Sequence, residues 1–133
     1  MIAIDTNVLV RYAVKDDRRQ TVLATDFMAN NQCRILKSVL LELVWVLSSS
    51  SGYALSQKVV VERVRHILGL PTIDTEDAVQ VAQALAWYEQ GMDFADALHL
   101  ASSTELSGFA TMDARMVRKA AQLSISAKLT HIA

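Results

Sequence analysis

Two aspartates three positions apart, Asp93 and Asp96, open the stretch DFADALHLA at residues 93–101, and three further acids occupy comparable points of the chain. Asp5 closes the short apolar run MIAID, Glu42 is the sole charge in VLLELVWVL at 39–47, and Asp113 follows FAT at 109–111. Carboxylates gathered in one crevice repel one another and raise each other's pKa values unless a cation neutralises them. Oxygen donors of this kind suit Mg²⁺ or Mn²⁺, hard ions that keep several waters and bind through one or two carboxylates plus a phosphate. The chemistry to expect of such a set is phosphodiester hydrolysis, in which the metal lowers the pKa of the attacking water and stabilises the leaving oxygen.

Each acid also has a purely structural reading. Asp5, Asp93 and Asp113 all stand where an N-cap is wanted, and an acid at Asp96, one turn into a helix, complements the helix dipole. Glu42 is harder to place this way. An unpaired carboxylate in a buried apolar helix is costly, so it should face a cation, a partner or a wet cleft. His99 lies one turn beyond Asp96, but a single histidine reads as a packed, hydrogen-bonded side chain and is left out of the site. The lone Cys33 shows no chemistry, and Trp45 and Trp87 on apolar helices read as core. The sequence has no Gly-rich phosphate loop, GxSxG elbow, CxxC or HExxH, which disfavours nucleotide hydrolases, serine hydrolases and zinc enzymes.

The elements that would position these acids alternate. MIAID reads as a strand, followed by a helix from about Asn7, a second helix from Arg18 to Asn30 and a strand at CRIL, 33–36. A helix with Ser38 as N-cap carries VLLELVWVL, whose apolar character on all sides predicts burial. SSSSG at 48–52 reads as the turn that ends it, and SQKVVVERVRHILG as a helix stopped by Gly69. PTI is a short strand, Asp74 is the expected cap of a helix through Trp87 and Tyr88, and Gly91 breaks the chain before DFADALHLA. FAT is a strand, Asp113 caps a helix to about Leu123, and AKLTHI at 127–132 is the last strand expected. Strands separated by helices predict a parallel α/β sheet, in which ligands bind beyond the carboxyl ends of the strands.

The bulk numbers agree with one compact domain. With 133 residues, 52% of them hydrophobic and 20% charged, the chain is long enough to bury a core without disulfides. One cysteine excludes an internal disulfide and fits a reducing compartment. The N-terminus lacks the basic region of a secretory signal and no apolar run is long enough to span a membrane, so a soluble, cytoplasmic protein is expected. A net charge of −1 gives no global field for nucleic acid, so any such binding needs a local patch. Arg11, Lys15, Arg18, Arg19, Arg115, Arg118 and Lys119 flank two of the acidic motifs and could contact phosphates, though solvated helix faces explain them equally.

MIAIDTNVLVRY, VLLELVWVL with its embedded glutamate, DFADALHLA and FATMDARM, in this order, resemble the PIN-domain ribonucleases, in particular the VapC-type toxins of bacterial toxin-antitoxin pairs. The resemblance runs over essentially the whole chain. It implies a three-layer α/β/α fold, a central parallel sheet flanked by helices, as a single nuclease domain over 1–133. It also implies an acidic pocket that holds Mg²⁺ or Mn²⁺ and cleaves RNA. Matched by motif, Asp5, Glu42, Asp96 and Asp113 are the metal-binding and catalytic acids, Asp113 being the most variable of the set. Asp93 then becomes the cap and supporting acid, and Thr6, Asn7 and Thr111 take supporting polar positions. An antitoxin partner and a homodimer follow from the same resemblance. The alternatives are a PIN nuclease of RNA processing without an antitoxin, and a binding module whose acidic pocket no longer catalyses.

Overall fold

The computed structural model describes residues 1–125 and 128–132. They divide into two compact units, Met1–Ala78 and Val79–Ala133. The first holds β1 (Ile2–Ala3), α1 (Thr6–Val14), α2 (Arg18–Asn30), β2 (Cys33–Ile35), α3 (Lys37–Ser48), α4 (Gln57–Leu68) and β3 (Ile73–Thr75). α5 (Ala78–Glu89) begins at the boundary, and the second unit continues with α6 (Phe94–Ser102), β4 (Phe109–Thr111), α7 (Ala114–Gln122) and β5 (Leu129–His131). The strand expected over 127–132 is therefore seen as β5, Ala127 lying outside the described residues.

In the first unit the strands form a parallel sheet in the order β1-β2-β3, with Cys33 opposite both Ile2 and Ile73. In the second, β4 and β5 pair in parallel, with Phe109 opposite Leu129. Parallel neighbours require crossovers, which is why helices separate all of these strands. The expected alternation of strands and helices is observed.

Helix α1 buries Leu9, Val10 and Ala13 and contacts α2, α3 and α4. Helix α4 buries Val60, Val61, Val64 and Ile67 from a Ser56 N-cap to the Gly69 stop. Each such aliphatic side chain is worth roughly 1.5–3 kcal/mol when fully buried, so these stripes supply most of what holds the helices to the sheet. Among the described residues no helix is long and apolar enough to cross a membrane.

Several expectations require correction. Helix α3 is not buried on all sides: Leu40, Leu43, Val44 and Leu47 face inward, whereas Trp45 is 63% exposed and Glu42 shares its exposed side. A 3–4 residue spacing of leucines is enough to bind one face, and the remaining apolar residues follow no such demand. Trp87 likewise is only half-buried. Ser38 does not cap α3, which begins one residue earlier. The N–H of Lys37 is met instead by the Glu76 carboxylate at 2.8 Å, from 39 residues away, while the Glu76 N–H donates to the Ile35 carbonyl at 3.0 Å. Asp74, finally, caps nothing. It lies in β3 directly across from Arg34 and forms an ion pair with it at 2.7 Å.

The Glu76 contact joins the ends of β2 and β3 to the start of α3. Glu76→Ala is expected to lower unfolding free energy by about 1 kcal/mol, as loss of an N-terminal acceptor does, and Glu76→Gln by less, since the amide oxygen still accepts. Chemical denaturation of the two variants checks the order.

Candidate functional site

In the first unit the chain leaves β1 at Asp5 and turns into α1. Asp5 is the N-cap, its Oδ1 accepting the Thr6 N–H at 2.7 Å. Thr6 is 7% exposed, and its hydroxyl donates to Glu42 Oε1 at 3.2 Å. One buried threonine thus ties two exposed carboxylates, one on each side of it. Glu42 lies on the exposed side of α3, which was expected to be buried all round, and it faces solvent with the Thr6 hydroxyl as its partner. Asn7 faces elsewhere, into a cavity of about 390 Å³ shared with Arg11, Gln20 and Phe27.

In the second unit the structure brings Asp93, Asp96 and Asp113 to one cavity of about 370 Å³, lined also by Gly91, Arg115, Met116 and Lys119. Asp93 caps α6, its Oδ2 accepting the Asp96 N–H at 3.1 Å. Asp113 caps α7, its Oδ1 accepting from the N–H groups of Arg115 at 2.9 Å and Met116 at 3.4 Å. Its own N–H donates to the Thr111 hydroxyl at 3.0 Å, so Thr111 supports it as expected of that position. Asp96 is not a cap. It sits in the first turn with its side chain half-buried in the cavity wall.

These two acids are pushed in opposite directions. Burial first, then the charges of Asp93 and Asp113, raise the Asp96 carboxyl above its ordinary value, against weaker pulls from His99 and Arg115. Asp113 is held below its ordinary value, chiefly by the Arg115 N–H. The Arg115 Nε is 3.7 Å from Asp113 Oδ1 but its side chain is 87% exposed, so that ion pair adds little. His99, left out of the site on sequence grounds, is exposed yet close enough to be felt by Asp96. Cys33 is buried and its thiol is pushed up by burial, so it is no nucleophile.

Lys119 is the residue whose place the sequence left least defined. It was one basic residue of several, and the structure puts it in the same cavity as the three aspartates. The signal was its position four residues after Arg115, which shares a helix face with it. At Gly91, where φ is +110°, a Cβ would stand 3.5 Å from Lys119 Nζ. Arg118, between them in sequence, is exposed and is not part of the lining.

The donor chemistry fits a hard divalent ion. All the acids present oxygen, and Asp96, raised first by burial and then by the charges of Asp93 and Asp113, is an anion that a neighbouring cation would favour. Among the described residues no three or more His, Cys, Asp or Glu side chains are gathered into a ready cage for a metal. Mg²⁺ does not need one, since it binds through one or two carboxylates with waters and phosphate oxygens completing its shell.

Comparison with known families matches residues 2–122 to the PIN domain. With seven helices and a parallel three-stranded sheet among the described residues, the match is consistent with the three-layer α/β/α class expected. No curated protein matches the sequence.

The opposite shifts make a prediction that needs no substrate. A carboxyl whose folded pKa is raised destabilises the fold once ionised, and that cost disappears as pH falls through the raised pKa toward the ordinary 3.8. In metal-free buffer the melting temperature of Asp96→Asn should therefore gain on wild type as pH rises from acid to neutral. An Asp93→Ala variant should lose about 1 kcal/mol at neutral pH for want of its cap, and Asp93→Asn far less. Parallel thermal melts across pH decide both.

Proposed function

Because the chain belongs to the PIN domain family, whose members are generally nucleases, we propose that it is a Mg²⁺- or Mn²⁺-dependent endoribonuclease, acting in the cytoplasm as the toxin of a toxin-antitoxin pair. The observation that carries this reading is Asp96, a half-buried carboxyl of raised proton affinity, in one cavity with two more carboxylates and two cations. A structural cap has no need of such an environment.

The residues we propose for metal binding are, taking each unit by itself, Asp5 and Glu42 in the first and Asp96 and Asp113 in the second. A bound ion would activate the attacking water and stabilise the leaving oxygen. The roles of the protein groups differ. Asp113, held ionised by its cap hydrogen bonds, supplies a permanent negative charge. Asp96, whose carboxyl is raised by burial and by the charges of Asp93 and Asp113, is the acid whose ionised form a bound cation would favour most. Thr6 orients the Asp5 and Glu42 carboxylates through its N–H and its hydroxyl, whereas the Thr111 hydroxyl accepts the backbone N–H of Asp113 and so fixes the backbone that carries that acid. Lys119 and Arg115 offer positive charge to the phosphate oxygens of a strand entering the cavity.

The antitoxin assignment has support on α1 and α2. The cavity lined by Asn7, Val8, Leu23, Ala24 and Phe27 is apolar along one side, and Val22, Leu23 and Phe27 are exposed. An amphipathic helix seated there would bury them. Homodimerisation belongs to the same reading of the chain as one nuclease domain.

The decisive experiment is cleavage of a mixed RNA pool by the wild type and by Asp96→Asn, with Mg²⁺, with Mn²⁺ and with EDTA. Metal-dependent cutting that falls by about 100-fold or more in the variant, the scale seen when a group stabilising developing charge is removed, is the expected outcome. No cutting by a folded, inhibitor-free wild type would instead make the protein a binding module. Glu42→Gln should reduce cutting in the same assay with its melting temperature close to wild type, since an exposed carboxylate contributes little to the fold.

A further inference from the structure

A second cavity, of about 320 Å³, opens where the C-terminal end of α1 meets α4, and its lining is of one charge. Tyr12, Lys15, Arg63 and His66 face it, with Ala13, Val14 and Ile67 as the apolar remainder, and no carboxylate is among the lining residues. The polar groups are organised. The Tyr12 hydroxyl and His66 Nε2 are hydrogen-bonded at 2.9 Å, with rings within 10° of parallel, and Lys15 Nζ stands 4.5 Å from the centre of the Tyr12 ring. A guanidinium nitrogen of Arg63 donates to the Ala13 carbonyl.

Part of this charge has a structural explanation. The C-terminal end of α1 carries the negative pole of its dipole, equivalent to roughly half an elementary charge, and cations there are stabilising. Arg63 answers that pole and satisfies one carbonyl. Half a charge does not account for two full ones, however, and Lys15 and Arg63 together leave a surplus of more than one positive charge. The two acids that follow Lys15 are engaged elsewhere. Asp16 is taken by Arg11 at 3.0 Å and by the Tyr53 hydroxyl at 3.1 Å, and Asp17 caps α2 through the Gln20 N–H. Arg63 retains most of its five donors beyond the one used. The cavity therefore presents cationic donors and a phenol to whatever enters it.

We propose that this cavity binds a phosphate of the RNA strand, upstream or downstream of the bond that is cut. The proposal rests on the nuclease reading for the identity of the strand, but the anion site itself does not. Position supports the assignment to a strand. Helix α1 has nine residues and so rises about 13 Å from Thr6 to its end. At roughly 3.4 Å per stacked nucleotide, a strand lying along α1 from Asp5 would reach the cavity in about four steps, within the span that single-strand binding surfaces cover. The tyrosine beside the cations adds a ring edge against which a base or sugar can pack. A protein of net charge −1 needs such a local patch to hold a polyanion.

The test uses the full chain in EDTA, which keeps RNA intact, with His66→Gln used to assign the His66 ring resonance by NMR. Inorganic phosphate and a short single-stranded RNA are titrated in turn, and RNA affinity is measured against salt for wild type and Lys15→Gln. The expected result is a His66 shift with both probes, weaker RNA binding by Lys15→Gln, and a salt slope reduced by about 0.7, one phosphate contact on a single strand. Arg63→Gln should act in the same direction but also loses the hydrogen bond to the Ala13 carbonyl, whereas Lys15 caps α1 only through its backbone N–H, which Lys15→Gln keeps. No His66 response to either probe, or an unchanged slope in Lys15→Gln, overturns the proposal. A response to phosphate and not to RNA overturns the strand assignment. The cleavage assay is read separately, so that RNA binding at this cavity without cutting would leave the site standing and remove the nuclease.

Discussion

The interaction on which this chain's acidic residues depend is the hydrogen bond from a helix N-terminus to an aspartate. A helix leaves its first N–H groups without partners, and a carboxylate just ahead of it supplies the acceptor while complementing the dipole. Asp5, Asp93 and Asp113 all do this, at the starts of α1, α6 and α7. The choice between cap and ligand is then less stark than the sequence made it. The cap engages one oxygen of the carboxylate, Oδ1 of Asp5, Oδ2 of Asp93 and Oδ1 of Asp113, and a carboxylate has lone pairs on two. The same hydrogen bond fixes the rotamer, so capping holds the second oxygen in place for a ligand instead of competing with it.

Asp96 stands outside that arrangement, and its difference is informative. Its backbone N–H is the donor to Asp93, so its own carboxyl is left to the cavity, where burial and two neighbouring charges oppose ionisation. A few ångströms of sequence context thus separate two acids of the same type: one stabilised as an anion by backbone N–H groups, the other kept reluctant to ionise. Environments that drive neighbouring titratable groups apart are a mark of sites that handle protons or cations. A fold under no functional demand would have placed an alanine or serine at Asp96 and lost only the modest favourable interaction of an acid with the helix dipole.

What was legible in the sequence was local. Helix α2 runs from Arg18 to Asn30 as its pattern predicts, Gly69 ends α4, and Asp93 and Asp113 cap the helices they precede. These features are decided within a few residues by turn geometry and capping, which is why spacing reveals them. What failed was decided at a distance. Ser38 is a good N-cap by type, but Glu76 arrives from the end of β3 and starts α3 at Lys37 instead. Asp74 was assigned to a helix on the same local logic, and the cross-strand Arg34 claimed it. The assembly of Tyr12, Lys15, Arg63 and His66 was invisible in the sequence because it joins two helices fifty residues apart.

At Glu42 the premise drawn from the sequence and the environment observed differ. The helix reads as apolar on all sides, so that its one carboxylate would have to face a cation, a partner or a wet cleft. The carboxylate is in fact exposed, along with Trp45, so desolvation makes no demand on it. An exposed glutamate, with a long side chain's rotamer entropy to lose, would not by itself hold a defined position. What restrains it is Thr6, buried at the start of α1, whose hydroxyl reaches Glu42 while its N–H reaches Asp5. Any specific role of Glu42 must therefore pass through that threonine, and the two acids of the first unit are better regarded as one hydrogen-bonded pair than as two independent ligands.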